Sequence, residues 1–210
     1  FEAILEHVPA PAYDDEALYV AVRCDDSDPR GIIAKTLLPD VDMRSYDRVN
    51  FVFDTFHDSR NGYFFQIKPV SARSDALIEN NAIFRREWDT IWYGKASVDA
   101  TGWSAEIAIP FQSLTFRPDD PVWGFEVERI VRRDNQKIRW ANHSQNHMIV
   151  NIAGIGRIEG LEGVSGTGVD VKPSYRAGFD RRYEPADDDW LGRPGLDVFY
   201  KPTSSITTVA

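Results

Sequence analysis

Cysteine is nearly absent from this chain. Cys24 is the only one in 210 residues, so no internal disulfide can form, and no Cys/His array has the spacing of a zinc site. Basic charge is also short, with 24 Lys and Arg against 33 Asp and Glu and a formal charge of −9. A protein that binds nucleic acid by neutralising phosphates needs the opposite balance, and that class is excluded. No run of about 18 apolar residues occurs, so no membrane-spanning helix is encoded. Catalytic signatures are missing too: there is no nucleophile elbow, no phosphate loop and no His-Glu zinc helix. The glycines between residues 154 and 168 lack the strand–turn–helix context of a dinucleotide fingerprint.

What the chain does have is aromatic side chains: 6 Trp, 8 Tyr and 12 Phe. That number asks whether all of them go into a core. With 42% hydrophobic and 27% charged residues, the composition is that of a folded globular protein, and the length suits one β-rich domain or a domain with a short appendage. The chain opens at Phe1 with no basic and apolar leader. It closes on a β-branched, alternating stretch at 205–210 that reads as a strand cut in its middle. The expectation is the front part of a longer, exported protein whose targeting segment has been removed.

Apolar residues recur with period two. Leu18, Val20, Val22 and Cys24 alternate with more polar neighbours, as do Val49, Phe51 and Phe53, then Phe65 and Ile67, each the pattern of a half-buried strand. The polar stretch 57–62 ends in Asn61-Gly62, a hairpin signal joining two of these strands. Further strands are expected at 92–98, 103–109, 123–133 and 137–141, with Pro110 closing the second of these because it has no ladder donor. Short helical turns are expected only at 110–114 and 32–35. Antiparallel hairpins at this spacing predict an all-β antiparallel β-sandwich. Phe51, Phe53, Phe65, Trp103, Trp123 and Phe125 fall on its inward positions.

Six glycines between 154 and 168 suggest a domain exit. We therefore expect a β-sandwich over residues 1–164 and a C-terminal β-hairpin extension over 165–210, its strands split by a loop at 183–194 and followed by a turn at 201–204.

Candidate functional residues lie on the polar strand positions. Arg23, Asn50, Gln66, Lys68, Glu106, Glu128 and Arg132 all oppose an apolar face, and on neighbouring strands they would form one surface of bidentate donors and acceptors. Such groups suit sugar hydroxyls, which are costly to desolvate unpaired; a solvated face of mixed charge places them in the same way. Trp88 and Trp92 stand in the polar, irregular stretch 86–92, where large aromatics are unusual. An indole can stack on the C–H face of a pyranose, and it can equally lid a core, the reading that strand position favours for Trp92; Trp140 raises the same question. Glu106 and Glu128 together prompt the thought of a glycosidase pair, which needs a set carboxyl separation in a cleft. Asp25, Asp26 and Asp28 follow a strand and could offer oxygen ligands to Ca2+, or simply cap their own turn. The basic stretch 129–139 invites pairing with the acidic N-terminal half or with an anionic partner.

Several ordered motifs resemble a known family. Asp14-Asp-Glu-Ala-Leu-Tyr-Val-Ala-Val-Arg23, Asp47-Arg-Val-Asn-Phe-Val-Phe-Asp54 and Gly102-Trp-Ser-Ala-Glu-Ile-Ala-Ile-Pro-Phe111 are similar to carbohydrate-binding module family 9-like domains. Trp123-Gly-Phe-Glu-Val-Glu-Arg129 and Gly156-Arg-Ile-Glu-Gly-Leu-Glu-Gly163 look like the bacterial subgroup in which such a domain precedes a region believed to form an outer-membrane β-barrel. The resemblance, over about residues 13–202, implies a β-sandwich and a noncatalytic role with an oligo- or polysaccharide partner, xylan-type in some relatives. It also implies calcium in some members and a periplasmic or outer-membrane-associated location. The sugar-clamping aromatic pair of those modules has no counterpart by motif, so Trp88 and Trp92 are read from the residues alone. With Arg23, Gln66, Glu106 and Arg132 they make up the expected sugar site. The competing expectation is a structural domain that docks on, or plugs, its own C-terminal barrel.

Overall fold

A computed structural model describes residues 11–34, 45–141, 148–183 and 186–209. The period-two segments become strands in chain order: β1 (Ala12–Tyr13), β2 (Ala17–Asp25), β3 (Arg48–Asp54), β4 (Gly62–Ile67), β5 (Arg73–Glu79), β6 (Ile83–Arg85), β7 (Tyr93–Asp99), β8 (Gly102–Pro110), β9 (Trp123–Val131), β10 (Gln136–Trp140), β11 (Gly156–Ile158), β12 (Gly168–Tyr183), β13 (Ala186–Thr203) and β14 (Ile206–Val209). They form three antiparallel sheets, ordered β1-β2-β8-β7, then β10-β9-β3-β4-β5-β6 with β11 also on β9, and last β12-β13-β14.

The first two sheets face each other across the core. Leu18, Val20, Val22 and Cys24 from β2 and Trp103, Ile107 and Ile109 from β8 meet Val49, Phe51, Phe53, Phe65, Trp123, Phe125 and Val127. All six expected inward aromatics are at most 1% exposed. Phe53 lies between Phe125, stacked at 5.0 Å, and Phe65, edge-on at 6.0 Å. Buried in this apolar layer, the Cys24 thiol is pushed up to about 12, which keeps it protonated and unreactive.

Turn chemistry sets the register. At the β7–β8 hairpin Gly102 has φ +147°, and a Cβ there would lie 2.2 Å from the Cys24 carbonyl oxygen, so no other residue fits. The β3–β4 connection is held by Asp54, whose carboxylate accepts from the backbone N–H of Ser59 at 2.7 Å and of Asp58 at 3.2 Å.

Strand β5, for which the sequence pattern gives no expectation, forms because Ala76 and Ile78 pack on the outer side of β4 with Val52 and Phe64. Along the first half of the glycine-rich segment β11 pairs with β9, and Leu161 and Val164 enter the core. The expected loop at 183–194 is largely strand, because β12 and β13 pair without interruption from Gly168↔Lys201 to Tyr183↔Ala186. The helical turn expected at 32–35 is corrected: a turn forms at Pro29–Gly31, residues 32–34 are not helical, and Lys35 lies outside the described residues.

The third sheet is anchored at its base. Lys201 donates from Nζ to the carbonyl of Gln112 at 2.8 Å and to that of Leu114. Ser204 accepts from the Gly166 N–H through Oγ at 3.0 Å and from the Phe116 N–H through its carbonyl at 2.9 Å.

Candidate functional site

The two facing sheets turn their outer faces in opposite directions, and this divides the expected sugar residues. Arg23 and Glu106 project from the outer face of the four-stranded sheet, and Gln66 from the outer face of the six-stranded path. Arg132 sits beyond the end of β9, exposed, with its guanidinium on Asn135 at 2.9 Å. The expected single polar surface does not exist, because alternation tells which side of a strand a residue takes but not which sheet the strand joins. The same division separates Glu106 from Glu128. Sheets pack about 10 Å apart, and these carboxylates point away from each other across that layer, so they cannot form a hydrolytic pair.

Trp92 belongs to the core. It is 5% exposed, lies edge-on to Phe65 at 5.1 Å, and donates from Nε1 to Asp75 at 3.2 Å. Trp88 is half-buried against Tyr63 at 5.2 Å and Phe65 at 6.2 Å. Both indoles of this stretch pack against aromatics of β4, Trp88 on Tyr63 and Phe65 and Trp92 on Phe65. Trp140 is 39% exposed and leans on Phe125 at 5.8 Å.

The expected calcium residues are engaged with arginine. Asp25 takes Arg23 at 2.8 Å, and the buried Asp26 takes Arg133 at 3.0 Å and Arg129 at 3.5 Å. Asp28 lies 4.0 Å from Arg30. Among the described residues no group of three His, Cys, Asp or Glu side chains could hold a metal ion. From the basic stretch, Arg129 and Arg133 thus pair with Asp26 of the acidic N-terminal half, while Arg139 pairs with Glu128. Arg23 is itself committed, gripping Asp99 with two nitrogens at 2.6 and 2.9 Å, which holds that carboxyl well below the usual range.

Two arrangements remain. On the outer face of the larger sheet, Ser74, Gln66, Asn50, Glu128 and Arg139 stand side by side across five strands. Gln66 donates to Asn50 at 2.5 Å, Asn50 to Glu128 at 2.8 Å, and Arg139 to Glu128 at 2.5 Å. Asn50 and Glu128 are buried, and their polar groups satisfy one another. Beside them Glu126, also buried, makes no hydrogen bond; burial pushes its carboxyl up to about 7 against the pull of Arg139 at 3.9 Å.

The outer face of the smaller sheet is open. There a groove of about 700 Å³ is lined by Tyr19, Ala21, Tyr93, Lys95, Glu106 and Ala108, with Ser71 and Arg73 on its rim. Register places Tyr19 and Tyr93 on either side of Ala108, and Lys95 opposite Glu106 in the next row. Two strand spacings put the tyrosine backbones about 10 Å apart. Ala108 and Ala21 leave the floor low, while Tyr19 and Tyr93 are 39% and 62% exposed. Asp14 accepts the Tyr19 hydroxyl at 2.9 Å and steadies that ring. Of the expected sugar residues, Glu106 alone lies in the groove. The sequence signal for these tyrosines is their outward parity on β2 and at the start of β7, a parity that exposed tyrosines of any role share.

Two facing antiparallel sheets define a β-sandwich, here with an open groove on one outer face. No protein-family model matches the chain, and no curated protein matches it in sequence. Among solved structures it is similar to a carbohydrate binding module family 9 from Caldicellulosiruptor kristjanssonii in complex with cellotriose, at 17% identity over 71% of each chain and a TM-score of 0.51. The glucose complex of such a module from the same organism aligns at 17% over 75% of each chain, with a TM-score of 0.51. A protein from Bacteroides uniformis, described as a candidate carbohydrate-binding protein, aligns at 10% over 71% of this chain and 75% of its own, with a TM-score of 0.58. The chain therefore has the fold of a family 9 carbohydrate-binding module.

Proposed function

We propose that this domain is a noncatalytic carbohydrate-binding module, and that its glycan lies in the groove between Tyr19 and Tyr93. The observation that carries this reading is the pair of exposed phenol rings flanking a methyl floor, with Glu106 and Lys95 alongside. Each ring offers apolar area to the C–H face of a pyranose at small entropy cost. The neighbouring carboxylate and ammonium supply an acceptor and donors for its hydroxyls. Noncatalysis is supported by the separation of Glu106 from Glu128, which project from the outer faces of different sheets. The cellotriose and glucose held by the structural neighbours favour a neutral hexose polymer as ligand. In this reading the parent protein is bacterial and exported, periplasmic or attached to the outer membrane, and takes part in polysaccharide breakdown or uptake.

Calorimetric titration with cello- and xylo-oligosaccharides, with and without calcium, tests the proposal. Binding is expected, and Tyr93→Ala should weaken it about tenfold, or about 1.4 kcal/mol. No heat from any oligosaccharide with the unaltered protein sinks it.

A second reading rests on the third sheet. Val171, Tyr175, Leu196 and Tyr200 are exposed and share one face of the long β12–β13 hairpin, with Ser174, Arg176, Arg193 and Asp197 on the other. Apolar-out, polar-in alternation over strands this long suits a lipid-facing barrel wall. In that reading the sandwich docks on a barrel to which this hairpin contributes.

A further inference from the structure

Accepting the groove as the glycan site, we infer that it holds the interior of an extended glycan chain rather than a single sugar or a chain end. Beyond the tyrosines the depression continues into a second compartment of about 500 Å³, lined by Glu16, Pro110, Gln112, Ser165 and Thr167. Tyr19, Tyr93 and Ala108 line both compartments. The aromatic pair is therefore the waist of a continuous groove and not its closed end.

A site for a chain end needs a wall of polar groups set against the terminal hydroxyls. Here the stacking surfaces stand at the middle, and polar groups lie on both sides: Lys95, Glu106 and Ser71 in one direction, Gln112, Ser165 and Thr167 in the other. Along β8 the step from Glu106 to Pro110 alone covers about 14 Å, and the groove runs on to Gln112, longer than one sugar ring. The far compartment is prearranged. Ser165 and Thr167 hydroxyls lie 3.1 Å apart in a hydrogen bond, and the Gln112 backbone is pinned by Lys201. The segment joining the sandwich to the third sheet thus becomes part of the glycan site.

The test measures affinity of the full chain for glucose and for cello-oligosaccharides of two to six units, each also with its reducing end converted to the alditol. Xylo-oligosaccharides are run in parallel. Affinity should rise by about tenfold or more from the disaccharide to the tetrasaccharide, and end reduction of the hexasaccharide should not weaken it. The double variant Gln112→Ala, Thr167→Ala should flatten the length dependence, and circular dichroism checks that it is folded. Glucose binding as tightly as the tetrasaccharide, or loss of hexasaccharide binding on end reduction, overturns the inference while leaving carbohydrate binding intact. Absence of binding to every sugar overturns both.

Discussion

At Glu126 a single carboxyl carries a pH dependence for the whole domain. It is buried without a hydrogen bond, and burial, aided by the nearby Glu128, raises its affinity for a proton despite Arg139. The folded protein therefore binds this proton more tightly than the unfolded chain does. Stability is complete below the ordinary carboxyl value of 4.5 and falls as pH rises through about 7. Glu126→Gln, which mimics the protonated form, should raise stability at pH 8 by up to about 3 kcal/mol and change little at pH 4.5. Urea denaturation at the two pH values reads the difference; equal gains at both would refute the assignment. Alternation in the sequence placed Glu126 on an outer strand position, where solvation is the default. Its desolvation depends on what covers that face, which period two does not encode.

Between elements, the tie from β9 to the end of β2 shows how the packing of two sheets turns charge into architecture. Arg129 occupies an inward position of β9, yet its guanidinium reaches past the edge of the apolar layer to the Asp25 carbonyl at 2.6 Å and to the Asp26 carboxylate. Both side chains are almost wholly buried, and Arg133 closes on Asp26 from the rim. Removing one partner of a buried pair leaves the other uncompensated, so Arg129→Ala should cost about 3–5 kcal/mol, read as a fall in the urea midpoint. A change below about 1 kcal/mol would mean that the pair is solvated. The attraction between the basic stretch and the acidic N-terminal half was legible as composition. Which arginine met which aspartate was not, since β9 and β2 belong to different sheets and meet only where one sheet packs on the other. In the same way β2, β3, β4, β8 and β9 were legible because one of their faces is continuously apolar. β5 escaped, its sequence being mostly polar with only two alternating apolar residues on the outer side.

For the whole molecule, the sandwich and the long hairpin differ in how they are stabilised. The sandwich has its own two-sided core, whereas the third sheet leaves Val171, Tyr175, Leu196 and Tyr200 exposed and is held at its base by Lys201 and Ser204. A chain ending at Val164 should therefore keep its near-ultraviolet dichroism and unfold cooperatively. The full chain should float with lipid vesicles, whereas the shortened one should not; a shortened chain that floats equally would remove the barrel-docking reading. By itself the sequence determined the fold class, the inward aromatics, and the exclusion of disulfide, zinc and phosphate-neutralising chemistry, because these depend on period two, on counts and on spacing. Tertiary structure decided the site. Strand order sent Arg23 and Glu106 to one outer face and Gln66 to the other, folded Trp92 into the core, and set Tyr19 and Tyr93 about 10 Å apart across β8. Proximity between strands is a property of hydrogen-bonded pairing over long sequence distances, and local pattern carries no record of it.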